Sequence, residues 1–180
     1  MIYGMYYDSP IGKLLLASKD NQLIGLWLEN QKYYLSQFKV EFIKEDEKIL
    51  LKEKDWLDRY FRGEKPDLKE LTLNPIGSVF RKQVWRILCD IPYGQTITYR
   101  DIAHRLEKEN NIPHMSFQAV GGAVSHNPIS IIIPCHRVVG TNGSLTGYAG
   151  GIERKVYLLQ HEKVDMTHLF PPKGEHSYHE

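Results

Sequence analysis

Apolar and polar positions alternate along the first thirty residues, in the pattern of short antiparallel strands. The runs YGMYY, KLLLAS and LIGLWLE are separated by the turn-forming stretches DSPIG and KDNQ. Over residues 47–62 the period becomes helical, with Leu50, Leu57 and Phe61 on one face and Gly63 where a helix would end. The pattern predicts an antiparallel meander followed by a helix.

The stretch GEKPDLKELTLNPIG has two prolines and few periodic apolar positions, so it predicts a linker. We therefore expect an N-terminal domain over residues 1–74, including this linker, and a second domain over residues 75–170. The remaining residues, 171–180, are polar and include two prolines, so they predict a mobile tail.

The second domain begins with helical patterns, each preceded by a residue suited to capping. Ser78 precedes a helix that ends at IPYG, and Thr98 precedes YRDIAHRL with Asp101 placed to complete a capping box. Ser116 precedes a third short helix in SFQAVGGAV. Two short helices in succession are typical of a helix-turn-helix, but the long connection EKENNIPHM leaves a plain helical hairpin equally possible.

A β-hairpin is predicted after these helices, because apolar residues flank the turn pair Asn142-Gly143. The last helix, IERKVYLLQHE, places Ile152, Val156 and Leu159 on one face. Two helices followed by a hairpin form the layout of a winged helix, which usually binds DNA and sometimes serves only for protein docking.

Composition narrows the class of protein without identifying it. The chain has 180 residues, of which 42% are hydrophobic and 25% charged, so wholesale disorder is excluded. A formal net charge of +1 means that any nucleic-acid-binding surface must be a local patch. The N-terminus lacks the pattern of a signal peptide or a membrane span, and two cysteines do not make a disulfide scaffold, so we expect a cytoplasmic protein.

Cys135 is the candidate reactive residue, because it directly precedes His136 at the end of the run IIIPCH. A cysteine after an apolar run is often an inert core residue, and a reactive one needs a positive or proton-accepting neighbour. Adjacent side chains of an extended segment point to opposite sides, so a turn or a bridging water would have to join the pair. Glu162, in LLQHE, is a candidate to orient the imidazole. The pair Asn127-Pro128 is, by itself, only a turn signal.

Several motifs together resemble the O6-alkylguanine-DNA alkyltransferase family. They are the pair Asn127-Pro128 and the stretches IPCHRVV, IPYGQTITY, QAVGGAV, GYAGG and LLQHE, which lie between Val79 and Glu162. The resemblance implies an α+β fold: a small N-terminal antiparallel sheet with a helix, in a ribonuclease-H-like layout, followed by a helical winged-helix-like DNA-binding domain.

The resemblance also implies roles for the catalytic residues. Cys135 would attack the alkyl carbon on O6 of guanine, with His136 as a base acting through a water and Glu162 orienting the imidazole. Asn127 would brace the active-site turn, and Tyr99 would donate a hydrogen bond to N3 of the leaving guanine. On this basis we expect the pKa of the Cys135 thiol to lie below that of a free cysteine.

Further positions follow from the same resemblance. The residues expected to bind substrate are Val138 (through its backbone carbonyl), Tyr148, Ala149, Gly150 and Ser130. The residues expected to contact DNA are Gln118, Ser116, Ala119, Gly122 and Arg137. Three positions depart from the family pattern: Gln118 replaces the usual arginine that fills the gap left by a flipped base, Ala149 replaces a serine, and Ser130 replaces a proline.

The implied function is irreversible, single-turnover DNA repair by transfer of an alkyl group from O6-alkylguanine in flipped-out DNA to Cys135, with O4-alkylthymine as a second candidate substrate. We expect a monomer that acts on double-stranded DNA, without a membrane and without a cofactor. No metal is expected, because residues 1–74 contain neither cysteine nor histidine. The alternatives are a damage sensor of the same fold, a cysteine hydrolase and a winged-helix transcriptional module.

Overall fold

A computed structural model describes residues 1–32, 41–42 and 47–172. Two compact units divide the chain: Met1–Ile76 with Pro128–Ile132, and Gly77–Asn127 with Ile133–Glu180. The division at Ile76 lies close to the predicted domain boundary, but the assignment of residues 128–132 to the first unit was not predicted. Most of the predicted tail, from residue 173 onward, lies outside the described residues.

The first unit contains a sheet of four strands in the order β3-β2-β1-β4. The predicted antiparallel meander is confirmed for the first three strands, and Asp20 and Asn21 both adopt positive φ in the two-residue turn between β2 and β3. The fourth strand pairs parallel to β1, so the sheet is not wholly antiparallel. The strands are β1 (Tyr3–Ser9), β2 (Gly12–Lys19), β3 (Gln22–Leu28) and β4 (Glu41–Phe42).

Helix α1 (Lys48–Phe61) lies where the periodicity predicted it. Its buried face includes Leu50, Trp56 and Leu57, and it packs against the first three strands. The Tyr7 hydroxyl of β1 donates to an Asp58 carboxylate oxygen at 2.6 Å, which ties the helix to the sheet. The helix ends before Gly63, whose φ of 90° is accessible to glycine at little cost.

The open edge of β3 is covered by two segments of the first unit. Leu23 donates its backbone N–H to Thr72 and accepts from Asn74, both at 2.8 Å, so the predicted linker is in fact paired to the sheet. Farther along β3, Leu26 donates to Pro128 at 2.8 Å and accepts from Ser130 at 3.0 Å. These bonds satisfy backbone groups that an uncovered edge strand would expose.

The second unit contains four helices, and the predicted caps are confirmed. The Ser78 hydroxyl accepts from the third residue of its helix, Thr98 and Asp101 form a reciprocal capping box, and the Ser116 hydroxyl accepts from Ala119. A capping side chain satisfies backbone donors that the first turn leaves free, which is why these helices begin there. The helices are α2 (Val79–Cys89), α3 (Tyr99–Asn110), α4 (Phe117–Ser125) and α5 (Ile152–His161).

The predicted β-hairpin is wrong, although its turn is present. Gly143 donates to the Gly140 carbonyl at 2.8 Å, but the strand before the turn, β6 (Val138–Val139), pairs parallel with β5 (Ile97–Thr98). After the turn, Ser144 accepts a backbone bond from Gly140 at 2.8 Å, but it then bridges to Phe170, and the described residues form no antiparallel ladder with β6. The apolar face of α5 packs against the residues that flank this turn, with Val156 and Leu159 fully or nearly buried.

None of the helices in the described part of the chain has the length and apolar character that crossing a membrane requires.

Candidate active site and exposed helix

Cys135 begins a single turn of 3-10 helix, Cys135–Arg137, which replaces the extended segment expected from the sequence. Pro134 has a fixed φ near that of the turn and accepts a backbone bond from Arg137 at 3.0 Å. The Cys135 side chain is buried, with 5% of its residue surface exposed. In an extended segment the thiol and the imidazole would point to opposite sides of the backbone. In the 3-10 turn, successive side chains diverge by a smaller angle.

His136 is fixed by a buried ion-pair network. Its Nε2 donates to Oε2 of Glu162 at 2.6 Å, and the Nε of Arg137 donates to Oε1 of the same carboxylate at 2.7 Å. An Arg137 NH group also donates to the Ile91 carbonyl at 2.7 Å. All three side chains of the network are buried. The predicted pairing of Glu162 with His136 is therefore present, with Arg137 as an unforeseen third member.

Arg137 does not occupy the surface position expected of a DNA contact. Only 7% of its surface is exposed, and its guanidinium is committed to Glu162 and Ile91. A buried arginine held by a carboxylate cannot reach a phosphate without leaving Glu162 unpaired. The placement of Arg137 among the DNA-contacting residues is corrected to a structural role beneath the active site.

The protonation states in this network follow from the partners. Contacts with His136 and Arg137 hold the pKa of Glu162 far below its usual value, so the carboxylate is ionised and can only accept hydrogen bonds. Burial lowers the pKa of His136 against the opposing influence of Glu162, so the imidazole is neutral. Its one proton must then lie on Nε2, which leaves Nδ1 with a free lone pair.

Nδ1 of His136 is buried and has no hydrogen-bond partner within residues 1–32, 41–42 and 47–172. A buried nitrogen without a partner costs free energy, so native proteins seldom keep one without a chemical use. A neutral imidazole with an open lone pair is a general base. The geometry therefore allows His136 to accept a proton, as the sequence predicted.

The thiol itself experiences opposing influences. Burial raises the pKa of Cys135, while a hydrogen bond from the Asn127 side chain and the charge of Lys155 lower it. The net direction is upward, so the expected pKa below that of a free cysteine is not what the structure indicates. The resting group is a protonated thiol, and its reaction requires the proton acceptor that His136 provides.

Asn127 also stabilises the backbone of the active-site segment. Its Nδ2 donates to the Ile133 carbonyl at 2.8 Å, two residues before the nucleophile, and its side chain is buried. The same side chain is therefore bonded both to the approaching backbone and to the thiol. This contact matches the bracing role that the family resemblance implied.

Lys155 is the functional candidate that the sequence analysis missed. It is fully buried on α5, its Nζ donates to the Val138 and Thr146 carbonyls, and burial lowers its pKa to about 8. The spacing held a signal, since Lys155 and Glu162 are seven residues apart and so lie on one helix face. A lysine between apolar residues on that face would have indicated a buried cation.

Two tyrosines lie close enough to Cys135 for its charge to affect them. Burial raises the pKa of both Tyr99 and Tyr148, and the charge of Cys135 raises it further once the thiol is ionised, so each tyrosine remains a hydrogen-bond donor near neutral pH. The Tyr99 hydroxyl donates to the Thr146 carbonyl at 3.0 Å. A Cβ on the next residue, Gly147, would lie only 2.4 Å from the Tyr99 hydroxyl oxygen. The Tyr148 hydroxyl is buried and has no partner among the described residues.

A cavity of about 430 Å³ opens between α4 and the loops that follow β6. Its lining joins the predicted catalytic Tyr99 to the predicted DNA-contacting Gln118. The lining residues are Tyr99, Phe117, Gln118, Gly121, Ser125, Gly140, Thr141, Thr146 and Gly147.

The exposed face of α4 combines two larger side chains, Phe117 and Gln118, with short ones. Ser116, Gln118 and Ala119 are exposed, as their predicted DNA-contacting role requires. Gly121 and Gly122 are partly exposed, and a Cβ built on either one meets no atom within 4 Å. Packing within the described chain thus does not require glycine at these two positions.

The remaining predicted residues are less closely connected to this cavity. Ala149 and Gly150 form a turn closed by a bond from Gly151 to the Tyr148 carbonyl at 3.1 Å, and neither lines the cavity. Ser130 belongs to the first unit, where it is buried with its hydroxyl 3.4 Å from Oε1 of Gln31. Across the described ranges, no group of three or more His, Cys, Asp or Glu is placed to hold a metal ion.

Two protein-family models match the chain, one over its N-terminal part and one over its C-terminal part. The family described as 6-O-methylguanine DNA methyltransferase, DNA binding domain, matches residues 79–164. The ribonuclease-like domain of the same methyltransferases matches residues 1–75. The chain belongs to the 6-O-methylguanine DNA methyltransferase family.

Individual relatives cover nearly the full chain. A methylated-DNA–protein-cysteine methyltransferase of Haemophilus influenzae is 37% identical over 99% of this chain and 98% of its own length. A methylated-DNA–protein-cysteine methyltransferase of Methanosarcina barkeri is 43% identical over 90% of this chain and 99% of its own length. The crystal structure of Mycobacterium tuberculosis OGT in complex with DNA matches with a TM-score of 0.76 at 38% identity, covering 89% of this chain and 92% of that one.

Proposed function

We propose that this protein repairs alkylated DNA directly, by moving an alkyl group from O6 of guanine to the sulfur of Cys135. The observation that carries the proposal is the buried thiol beside a neutral His136, whose ring is fixed by the ionised Glu162. Relatives named methylated-DNA–protein-cysteine methyltransferase support the same reaction class.

The chemical step balances without a cofactor. His136 takes the thiol proton through a bridging water, and the Cys135 sulfur attacks the alkyl carbon. A C–S bond forms as the C–O6 bond breaks, and the electron pair of that bond stays on guanine. The guanine then gains a proton, so the products are unmodified guanine and an S-alkyl cysteine.

Tyr99 is suited to stabilise the leaving guanine. Tyr99 lines the cavity, and its hydroxyl donates to the Thr146 carbonyl at 3.0 Å. Because its pKa is raised, it remains a donor near neutral pH and would exchange this bond for one to N3 of guanine. A donor placed where negative charge develops lowers the barrier to departure.

The reaction stops after one turnover, because the S-alkyl thioether is stable and does not return the free thiol. The protein is consumed with its substrate. O4-alkylthymine, which carries the same alkyl–oxygen bond on a smaller ring, is a second substrate that this chemistry permits.

Double-stranded DNA carrying the lesion is the proposed partner, with the exposed face of α4 as the contact surface. An alkyl carbon within a base stack cannot reach a buried thiol, so the nucleotide must rotate out of the duplex. Gln118 would then occupy the vacated space, where its amide can hydrogen-bond an unpaired base edge. One chain supplies the whole site and both cysteines are free thiols, which favours a monomer in a reducing compartment such as the cytoplasm.

Replacing the nucleophile tests the proposal. We expect Cys135→Ser to bind a duplex containing O6-methylguanine but not to dealkylate it, because a hydroxyl is far less acidic than a thiol. Gel shift and product analysis of the same sample would measure both properties. Cys89→Ser is the matched control and should repair normally, since Cys89 is not part of the proposed site and burial raises its pKa to about 11. Dealkylation by Cys135→Ser would show that the nucleophile is misassigned.

A further inference from the structure

Phe117 is an aromatic residue on the exposed face of α4, where its neighbours are Gln118 and the small residues Ser116, Ala119 and Gly121. It is the first residue of α4 and 46% of its surface is exposed. The Ser116 cap accepts from Ala119 at 3.2 Å and sets the start of the helix, so the position of Phe117 is fixed by local bonding. Exposure alone does not mark a binding residue, since Val79 and Phe170 are exposed as well, so the case for Phe117 rests on its surroundings.

The surroundings of Phe117 indicate what that molecule is. It lines the 430 Å³ cavity together with Gln118, its neighbour on the exposed face of α4, and Tyr99. One turn along the helix, Gly121 and Gly122 leave open space where side chains would otherwise project. A surface that approaches α4 closely therefore meets Phe117 and Gln118 first.

Phe117 and Gln118 have complementary chemistry toward an opened base stack. Apolar side chains inserted between base steps hold a duplex in a kinked, unstacked state. An aromatic ring stacks on any base face, whereas an amide hydrogen-bonds an unpaired base edge. An uncharged glutamine lacks the planar, charged group of the arginine common at this position in the family, and the neighbouring phenylalanine supplies a planar surface.

We propose that Phe117 is a positioning residue that inserts into the DNA base stack beside the flipped nucleotide and stacks on a neighbouring base. Gln118 hydrogen-bonds the unpaired partner base. Stacking by Phe117 and hydrogen bonding by Gln118 together stabilise the opened duplex. The inference rests on the proposed function, since it presupposes a flipped base.

The chain provides a matched control for this position. Val79 is also the first residue of a serine-capped helix in the same unit, and it is 87% exposed, but it does not line the cavity. Phe117→Ala and Val79→Ala therefore remove comparable exposed apolar groups at equivalent helix positions. Phe117→Trp keeps an aromatic face and serves as the rescue variant.

The test compares transfer from an O6-methylguanine duplex with transfer from free O6-benzylguanine, which requires no flipping. We expect Phe117→Ala to slow the duplex reaction about tenfold, the loss of one base–aromatic stack, and to leave the free-base reaction unchanged. Phe117→Trp should restore the duplex rate, and Val79→Ala should change neither rate. Equal losses on both substrates, no loss on the duplex, or the same loss in Val79→Ala would overturn the stacking role.

A binding measurement separates failure of this inference from failure of the proposed function. In a Cys135→Ser background, Phe117→Ala should weaken binding of the lesion duplex about tenfold without changing its salt dependence, because an uncharged ring releases no counterions. Absence of methyl transfer by the unaltered protein would count against the proposed function, while the binding comparison would still report on Phe117. Unchanged affinity would refute the insertion.

Discussion

Two buried glutamates, one in each unit, show how partners decide what burial does to a carboxyl group. Glu53 on α1 is fully buried, its oxygens have no hydrogen-bond partner among the described residues, and burial raises its pKa well above the usual 4.5. Glu162 is buried almost as completely but contacts His136 and Arg137, and its pKa falls. The unpaired carboxyl is neutral and structural, whereas the paired one stays ionised and can orient a base.

Glycines in the two units differ in a similar way. A Cβ on Gly25 of β3 would lie 2.1 Å from the Trp27 ring, so internal packing in the first unit requires glycine there. Gly121 and Gly122 of α4 have open space, so nothing within the described chain requires them. Gly25 thus serves packing within the first unit, whereas Gly121 and Gly122 leave open space on the exposed face of α4.

The largest expected effect comes from removing the charge of Glu162. Glu162→Gln leaves the Arg137 guanidinium buried without its counter-charge, so the free energy of unfolding should fall by about 3–5 kcal/mol. The rate of methyl transfer should fall about 100-fold, because the His136 tautomer is no longer fixed. Urea unfolding and single-turnover kinetics measure the two effects. Glu153→Gln, at an exposed position on the same helix, is the control, and equal behaviour of the two variants would contradict the account.

Lys155→Met should slow the reaction about tenfold, a loss equivalent to about 1.4 kcal/mol of charge stabilisation at the thiolate. The Lys155 charge lowers the pKa of Cys135, so its removal should shift the pH midpoint of iodoacetamide inactivation upward. The difference between variant and wild type should narrow above about pH 8, where Lys155 itself loses its proton. Lys163→Met, at an exposed site, should leave the midpoint unchanged.

Glu53 should make the first unit less stable as pH rises above 4.5, the ordinary pKa of the carboxyl. The pKa of Glu53 is raised in the folded state, so the folded protein holds its proton more tightly than the unfolded chain does. The stability linked to this proton is fully present below the unfolded pKa and is lost as pH rises through the folded pKa. Glu53→Met should therefore raise the free energy of unfolding by about 1–3 kcal/mol at pH 8 and by less at pH 4. Chemical denaturation at both pH values would show it. A stabilisation that is the same at both would indicate that the carboxyl does not titrate on unfolding.

The smallest effects are expected for two glycine substitutions, which should change the free energy of unfolding in opposite directions. Gly25→Ala should destabilise by about 1–3 kcal/mol through overpacking against Trp27. Gly121→Ala should stabilise by about 0.5–1 kcal/mol, because alanine favours the helix, and should weaken binding to duplex DNA. Thermal unfolding and fluorescence anisotropy measure these quantities. If Gly121→Ala binds duplex DNA as tightly as the unaltered protein, then glycine at this position is not needed for the close approach of DNA.

Locally determined features were predictable from the sequence, and non-local ones were not. The caps at Ser78, Thr98 and Ser116 depend on bonds within one helical turn, so the sequence was sufficient to place the helices. The hairpin prediction failed because turn chemistry at Asn142-Gly143 does not specify which strand pairs with Val138–Val139. Tertiary pairing with Ile97–Thr98 prevailed over the local pattern.

The active site shows the same limit. The pairing of Glu162 with His136 was anticipated, since both residues lie in recognisable motifs. The burial of Arg137 depends on side chains contributed by distant segments, and charged residues are usually exposed, so the sequence did not indicate it. For Lys155 the only signal was its position between apolar residues on one face of α5. The pKa of Cys135 depends on the balance between burial and two partners, which only the three-dimensional arrangement reveals.

The central claim is that Cys135 accepts one alkyl group from DNA and then stops reacting. Intact-protein mass spectrometry after incubation with excess duplex containing O6-methylguanine tests it most directly, with peptide mapping to locate the modification. The account predicts a mass increase of one methyl group per chain, located on Cys135, with no further repair once the protein is consumed. Repeated turnover, a second methyl group, or methylation at Cys89 would contradict it.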